Sequence, residues 1–246
     1  MTLPVHWVES LAGTRRGDRV EVDGDEAHHA VAVRRVRADE RVVLTDGRGT
    51  TVTGTVSETG KRRMVVVAEE VDSHEPPTPS FTVVQALPKG DRGELAVEVL
   101  TEIGVETIVP WAASRSVAVW RGERAAKGVA RWRSTAREAA KQSRRAWFPE
   151  VADLASTDEV MSLLATADLA LVLHEDGDQP LPGAELPGTG TIVVVVGPEG
   201  GLTDEELATF RAAGAHVVRL GAEVLRTSTA GVAAVSALLA RTPRWG

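Results

Sequence analysis

The chain has 246 residues, enough for one large domain or two small ones, and its 43% hydrophobic and 26% charged content is that of an ordinary globular protein. It contains no cysteine, which excludes disulfides and thiolate metal sites and fits a reducing, cytoplasmic setting. The net charge of -7 argues weakly against nucleic acid, and no apolar run approaches the roughly 20 residues of a membrane span.

The opening residues, Met1-Thr2-Leu3-Pro4-Val5-His6, lack the basic and apolar regions of a signal peptide. Residues 1–74 then read as all-β. Arg19-Val20-Glu21-Val22, Arg41-Val42-Val43-Leu44, the alternating stretch 50–56 and Met64 to Ala68 are short strands, and Asp46-Gly47-Arg48-Gly49 is a turn. Asp25 to Arg37 reads as a short helix with Asp25 as its N-cap. Strands at this spacing predict a small β-barrel. Residues 75–80 lie in a Pro-rich, polar linker.

From residue 81 to 246 strands alternate with helices. Strands are expected at 81–87, 107–110, 169–173, 192–196 and 216–220, and helices at 92–103, through the basic stretch to Ser143, at 203–213 and at 228–240. This order predicts a parallel α/β sheet covered on both faces. The β-branched run Ile192 to Val196 has no polar break and is expected to be buried on both sides. It stops at Gly197-Pro198-Glu199-Gly200-Gly201, and ligands of such sheets lie outside the carboxyl ends of the strands. No Gly-Lys-Ser/Thr follows, and Pro198 removes one backbone donor, so no triphosphate cradle is expected. A loop of exposed amides and little side-chain bulk suits a flat, mostly uncharged ligand such as an adenine.

A second loop, Leu220 to Ala230, joins the 216–220 strand to the last helix, with Thr227 or Ser228 as its N-cap. Arg226 precedes that helix, where the helix dipole disfavours a cation, so either it turns outward or it meets negative charge on a ligand. His174-Glu175-Asp176 follows the 169–173 strand and faces the same sheet end. His28-His29 lacks a third ligand at metal spacing, so no metal is expected, and no hydrolase motif is present.

Charge is unevenly spread. Arg121 to Arg145 holds nine basic and two acidic residues, whereas Ala146 to Phe210 holds thirteen acidic residues and no basic one. Arg133, Arg137, Lys141 and Arg145 recur every four residues, on one helical stripe. Such a stripe is either a solvated face or a grip on phosphates, and the interleaved Trp132 and Trp147 are more simply core residues than stacking platforms.

Taken together, V-G-P-E-G-G-L-T-D-E-E (196–206) and L-G-x-x-V-L-R-T (220–227), ahead of a last helix, resemble the SPOUT methyltransferases, and more narrowly their 16S rRNA uridine-N3 branch. Ala86-Leu87-Pro88-Lys89-Gly90, Glu102-Ile103-Gly104-Val105 and the segment Glu138 to Arg145 with Pro149-Glu150 agree, as do His28-His29, Val33 to Val36 and Asp46 to Gly49. The resemblance implies a PUA-like barrel at 1–74 and a SPOUT domain at 81–246 tied in a trefoil knot. It also implies a homodimer and a substrate of 16S rRNA within the small ribosomal subunit, with no membrane or metal partner. S-adenosyl-L-methionine is then held by Leu173, His174, Glu175, Gly197, Pro198, Glu199, Gly200, Gly201, Leu220, Gly221, Leu225 and Thr227. Arg226 is the expected catalytic residue, and Arg34, Arg35, Lys89, Arg133, Arg137, Lys141 and Arg145 the expected RNA contacts. The general base is open among Glu102, Glu199 and a water. Ser228 stands where the family usually has Glu. A SPOUT enzyme with another RNA target and a non-catalytic RNA-binding relative are the alternatives.

Overall fold

A computed structural model describes residues 3–245, so the reading of Met1 and Thr2, and the boundary at Gly246, lie outside the described residues. Two compact units are present. One comprises Met1–Pro76 with Ala140–Phe148, the other Pro77–Ala139 with Pro149–Gly246. Residues 140–148 therefore join the first unit, although the composition shift along the chain assigns them to the second.

The first unit is built on β1 (Val5–Trp7), β2 (Arg19–Asp23), β3 (Arg41–Thr45), β4 (Thr50–Gly60) and β5 (Arg63–Ser73), with α1 (Gly24–His28) between β2 and β3. Sheet order is β1-β3-β4-β5-β2. The long β4–β5 hairpin shifts register at Thr53/Gly54 and Val56/Glu58, and such bulges bend and twist a strand pair. Val42, Leu44, Val52, Val56, Met64 and Val66 alternate inward to make the core. The helix expected over 25–37 is not continuous. Only Gly24–His28 is α-helical, its N-cap is Asp23 without a side-chain bond, and His29–Val33 is a π-helical turn. Arg35 ends it with φ +58, a left-handed conformation uncommon for a non-glycine residue. Trp147 is half-buried, packs against Gly49 and donates its indole N–H to the His74 carbonyl at 2.9 Å, so it is held within this unit without being part of its buried core.

The second unit contains β6 (Ser80–Ala86), α2 (Arg92–Glu102), β7 (Thr107–Trp111), α3 (Glu123–Gln142, whose last three residues belong to the first unit) and β8 (Glu150–Val151). It continues with α4 (Thr157–Ala165), β9 (Leu169–Leu173), β10 (Gln179–Pro180), β11 (Thr191–Val196), α5 (Asp204–Ala212), β12 (His216–Arg219) and α6 (Thr227–Leu239). All seven strands are parallel, in the order β10-β12-β9-β11-β6-β7-β8. β11 is central, flanked by β6 and β9. Ile192, Val194 and Val196 pack into one core with Leu100, Trp132, Val235 and Leu238, while Val193 and Val195 pack into the other with Leu164, Leu207 and Phe210. This is why the aliphatic run has no polar break: each face of β11 is roofed by helices. Trp132 is buried, edge-on to Trp120 at 5.3 Å. Among the described residues no helix is long and apolar enough to cross a membrane.

Candidate functional site

Parallel strands send all their carboxyl ends to one side of the sheet, and there the loops after β9, β11 and β12 surround a cleft of about 980 Å³. Every residue expected to hold a cofactor lines it: Leu173, His174 and Glu175; Gly197, Pro198, Glu199, Gly200 and Gly201; Leu220, Gly221, Leu225 and Thr227. Arg226 lines it too. Arg92, Pro182 and Arg219, which have no motif to mark them, line it as well, as does Glu223.

The loops differ in how their backbone is satisfied. In the first, the Gly201 amide donates to the Pro198 carbonyl at 2.9 Å to close a turn, and Gly201 then leaves it with φ +73, a conformation that favours glycine. The capping box of α5 takes the Thr203 amide and hydroxyl onto Glu206. The amides of Glu199, Gly200 and Leu202 keep no protein partner among the described residues. In the second loop, from Leu220 to Leu225, no backbone group is hydrogen-bonded among the described residues. Polar backbone without partners must meet water or a ligand. A mostly apolar cleft carrying such donors and acceptors is the usual form of a small-molecule site.

Helix α6 starts one residue earlier than expected. Its N-cap is Arg226, whose carbonyl receives the Thr229 and Ala230 amides at 2.9 Å, so Thr227 and Ser228 lie inside the first turn, both buried. No side chain caps this end. The buried Gln85, at the end of β6, donates from Nε2 to the Thr227 carbonyl at 3.3 Å and so ties the helix start to the sheet. The Arg226 guanidinium is exposed and has no partner among the described residues. A cation beside the positive end of a helix is paired favourably only by an anion or by developing negative charge.

Three proton acceptors can be sorted by their contacts. The Glu199 carboxylate accepts the Lys89 amide at 3.1 Å, so this carboxylate holds the loop after β6. Glu102 ends α2, outside the residues lining the cleft. The Asp176 amide donates to Nδ1 of His174 at 3.1 Å, which occupies the lone pair there; a neutral ring then carries its proton on Nε2 and acts as a donor. Among the described residues no group of three or more His, Asp and Glu side chains is placed to hold a metal.

The basic stripe does not survive as one surface. Lys141 is 7% exposed and its ammonium donates to Glu26 at 2.8 Å. Arg133 donates to the Val151 carbonyl at 2.9 Å and to Asp153 at 3.0 Å. Spacing of four places residues on one helical stripe but does not say what packs on it, and here that stripe meets carboxylates and a strand edge. Lys141 is removed from the expected RNA contacts, and Arg133 serves β8. Arg137 is exposed and Arg145 half-buried, while Arg34, Arg35 and Lys89 are exposed.

Comparison with known proteins agrees with this geometry. Residues 74–239 match the RNA methyltransferase domain family and residues 22–69 the RNA methyltransferase PUA domain family. A ribosomal RNA small subunit methyltransferase E from Mycobacterium bovis is 42% identical, over all of this chain and 94% of its own length. The Bacillus subtilis protein of that name is 29% identical over 90% of each. The crystal structure of a ribosomal RNA small subunit methyltransferase E from Neisseria gonorrhoeae bound to S-adenosyl methionine superposes with a TM-score of 0.89, at 28% identity and 98% coverage of both chains.

Proposed function

The chain belongs to the ribosomal RNA small subunit methyltransferase E family, and from that footing we propose that it transfers a methyl group to N3 of a uridine in 16S rRNA of the small ribosomal subunit. It is an S-adenosylmethionine-dependent rRNA methyltransferase. The cofactor fits the cleft on its own chemistry. Apolar side chains of Leu173, Leu202, Leu220 and Leu225 offer a wall for adenine, and the unpartnered amides of Glu199, Gly200 and Leu202, with the unpartnered backbone of 220–225, offer donors and acceptors for its polar edge. When bound, it supplies a sulfonium methyl group open to in-line attack.

The protein's own part is to orient the base and to stabilise charge. Uridine N3 must lose its imide proton as its lone pair takes the methyl group, and negative charge spreads over O2, N3 and O4 on the way. Arg226, exposed on the cleft wall beside the α6 N-terminus, is the cation for that charge. One Glu199 oxygen is engaged by the Lys89 amide and Glu102 lies outside the cleft lining, which favours solvent entering the cleft as the proposed proton acceptor. Arg34 and Arg35 of the first unit, with Lys89, contact RNA phosphates. A homodimer, a trefoil knot and a cytoplasmic setting belong to the same reading.

The observation that carries it is the meeting of the two loops and Arg226 around one cleft. The test uses small subunits from cells lacking the protein, incubated with it and isotopically labelled S-adenosylmethionine, followed by digestion and mass spectrometry. Labelled N3-methyluridine at one site is expected. A labelled ribose, or label confined to another RNA, would replace the substrate assignment; no label with intact cofactor binding would favour a non-catalytic relative.

A further inference from the structure

The glycine loop is gripped from behind by a segment that carries no motif. After β7 the chain turns through Ala113 to Ser116, closed by the Ser116 amide on the Ala113 carbonyl at 3.0 Å. The Ser114 amide donates at 2.8 Å to Oε1 of Glu206, a carboxylate only 3% exposed whose other oxygen holds Thr203 in the capping box. Beside it, Nη1 of Arg115 points to two carbonyls of the glycine loop, Leu202 at 3.2 Å and Gly200 at 3.4 Å. Gly200 itself lies against the Arg115 backbone: a Cβ there would stand 2.9 Å from both Cβ and the carbonyl oxygen of Arg115. Gly200 is thus small because another loop touches it, whereas Gly201 is glycine for its positive φ.

These contacts determine which backbone groups remain for a ligand. Arg115 occupies the carbonyls of Gly200 and Leu202, and Glu206 and Pro198 occupy the amides of Thr203 and Gly201. Among the groups left without a protein partner on the loop are the amides of Glu199, Gly200 and Leu202. Arg115 does not line the cleft. We infer that Arg115 is a positioning residue for the cofactor: it acts through the Gly200 and Leu202 carbonyls to hold the glycine loop in the shape that presents those amides. Both bonds come from Nη1, whose two N–H groups lie fixed in the guanidinium plane, whereas the ammonium of a lysine sits on a flexible stem. The inference rests on the cofactor reading of the cleft.

The test compares wild type with Arg115→Ala, Arg115→Lys and Gly200→Ala, all as the full chain. Calorimetry with S-adenosylhomocysteine and initial rates on small subunits are the readouts, and thermal melts confirm folding. A hydrogen bond to a charged group has an effect large enough for about a tenfold change in affinity. Arg115→Ala should therefore raise Kd and the KM for S-adenosylmethionine about tenfold, with kcat and the KM for the subunit within about threefold. Arg115→Lys should recover part of the loss, and Gly200→Ala should reproduce it by pushing on the Arg115 backbone from the other side. If the KM for the subunit rises and that for the cofactor does not, Arg115 is an RNA contact and the inference is wrong. A lowered melting temperature with unchanged cofactor binding overturns it too. Failure of the wild type itself to bind S-adenosylhomocysteine would instead strike the cofactor reading.

Discussion

Lys141 donates its ammonium to the Glu26 carboxylate at 2.8 Å, with side chains 6% and 13% exposed. The same carboxylate accepts the Trp7 amide at 3.2 Å and lies 3.5 Å from Nδ1 of His6. Burial alone would raise the Glu26 pKa, but the bonds from His6, Lys141 and Trp7 and the Lys141 charge outweigh it and bring it to about 2. A carboxyl depressed on folding contributes stability above its unfolded value of 4.5 and loses it as pH falls toward 2. That contribution is about 3 kcal/mol at neutral pH. Thermal melts from pH 7 to pH 2 should show wild type losing stability faster than Glu26→Gln below about pH 4.5; parallel acid slopes would contradict the linkage.

Lys141 should behave as a structural residue and Arg34 and Arg35 as RNA contacts. Lys141→Ala leaves the buried Glu26 carboxylate with only the Trp7 amide and His6, a loss below the roughly 3–5 kcal/mol typical of a wholly unpaired buried charge but still of a few kcal/mol. Its main effect is therefore a lowered melting temperature. Replacing Arg34 and Arg35 by Ala should leave melting unchanged, weaken subunit binding and flatten its salt dependence by about 0.7–0.9 log units per log unit of salt for each phosphate that is no longer neutralised. Equal salt slopes for wild type and variant would remove these arginines from the interface.

Arg226→Ala should lower turnover by about a hundredfold or more, the range for removing a group aimed at transition-state charge. Cofactor affinity should stay within a few-fold, since the other wall residues and loop backbone remain. Single-turnover rates on purified subunits separate chemistry from release. Turnover near wild type would take Arg226 out of the mechanism.

Glu199→Gln should keep turnover within a few-fold. The amide oxygen of Gln can still accept the Lys89 N–H that the carboxylate accepts at 3.1 Å. A loss of about a hundredfold with cofactor binding intact would instead assign Glu199 as the base.

Hydrogen exchange should find Leu220 to Leu225 unprotected in the free protein, because none of its amides is bonded among the described residues. S-adenosylmethionine should slow exchange there and at Glu199, Gly200 and Leu202, with little change at α4. Protection confined to other segments would place the cofactor elsewhere.

Local pattern is enough to place most of the second unit. Alternation of strands and helices, the unbroken Ile192–Val196 run and the glycine stop locate the sheet end that carries the cleft, since these depend on near neighbours in sequence. Other elements are harder to read from the chain. β1 is three residues long and gains its identity only by pairing with β3. α4 has a legible signal in the Ser156–Glu159 capping box, but at nine residues it is too short for apolar periodicity to stand out. The start of α6 lies at Arg226 because Thr227 and Ser228 are buried by packing rather than turned back as caps.

The sequence alone determined the β-then-α/β order, the two loops, Arg226 at a helix start and the family to which the combination belongs, because each is a matter of residue type at short spacing. Tertiary structure decided what each charge meets. Arg133 and Lys141 share a stripe with Arg137 on helical geometry, yet one bonds the Val151 carbonyl and the other a carboxylate 115 positions away. It also decided why Gly200 is glycine and what Arg115 does, since both follow from a contact 85 positions apart. Burial and long-range pairing come from the packing of distant segments, which spacing along the chain does not encode.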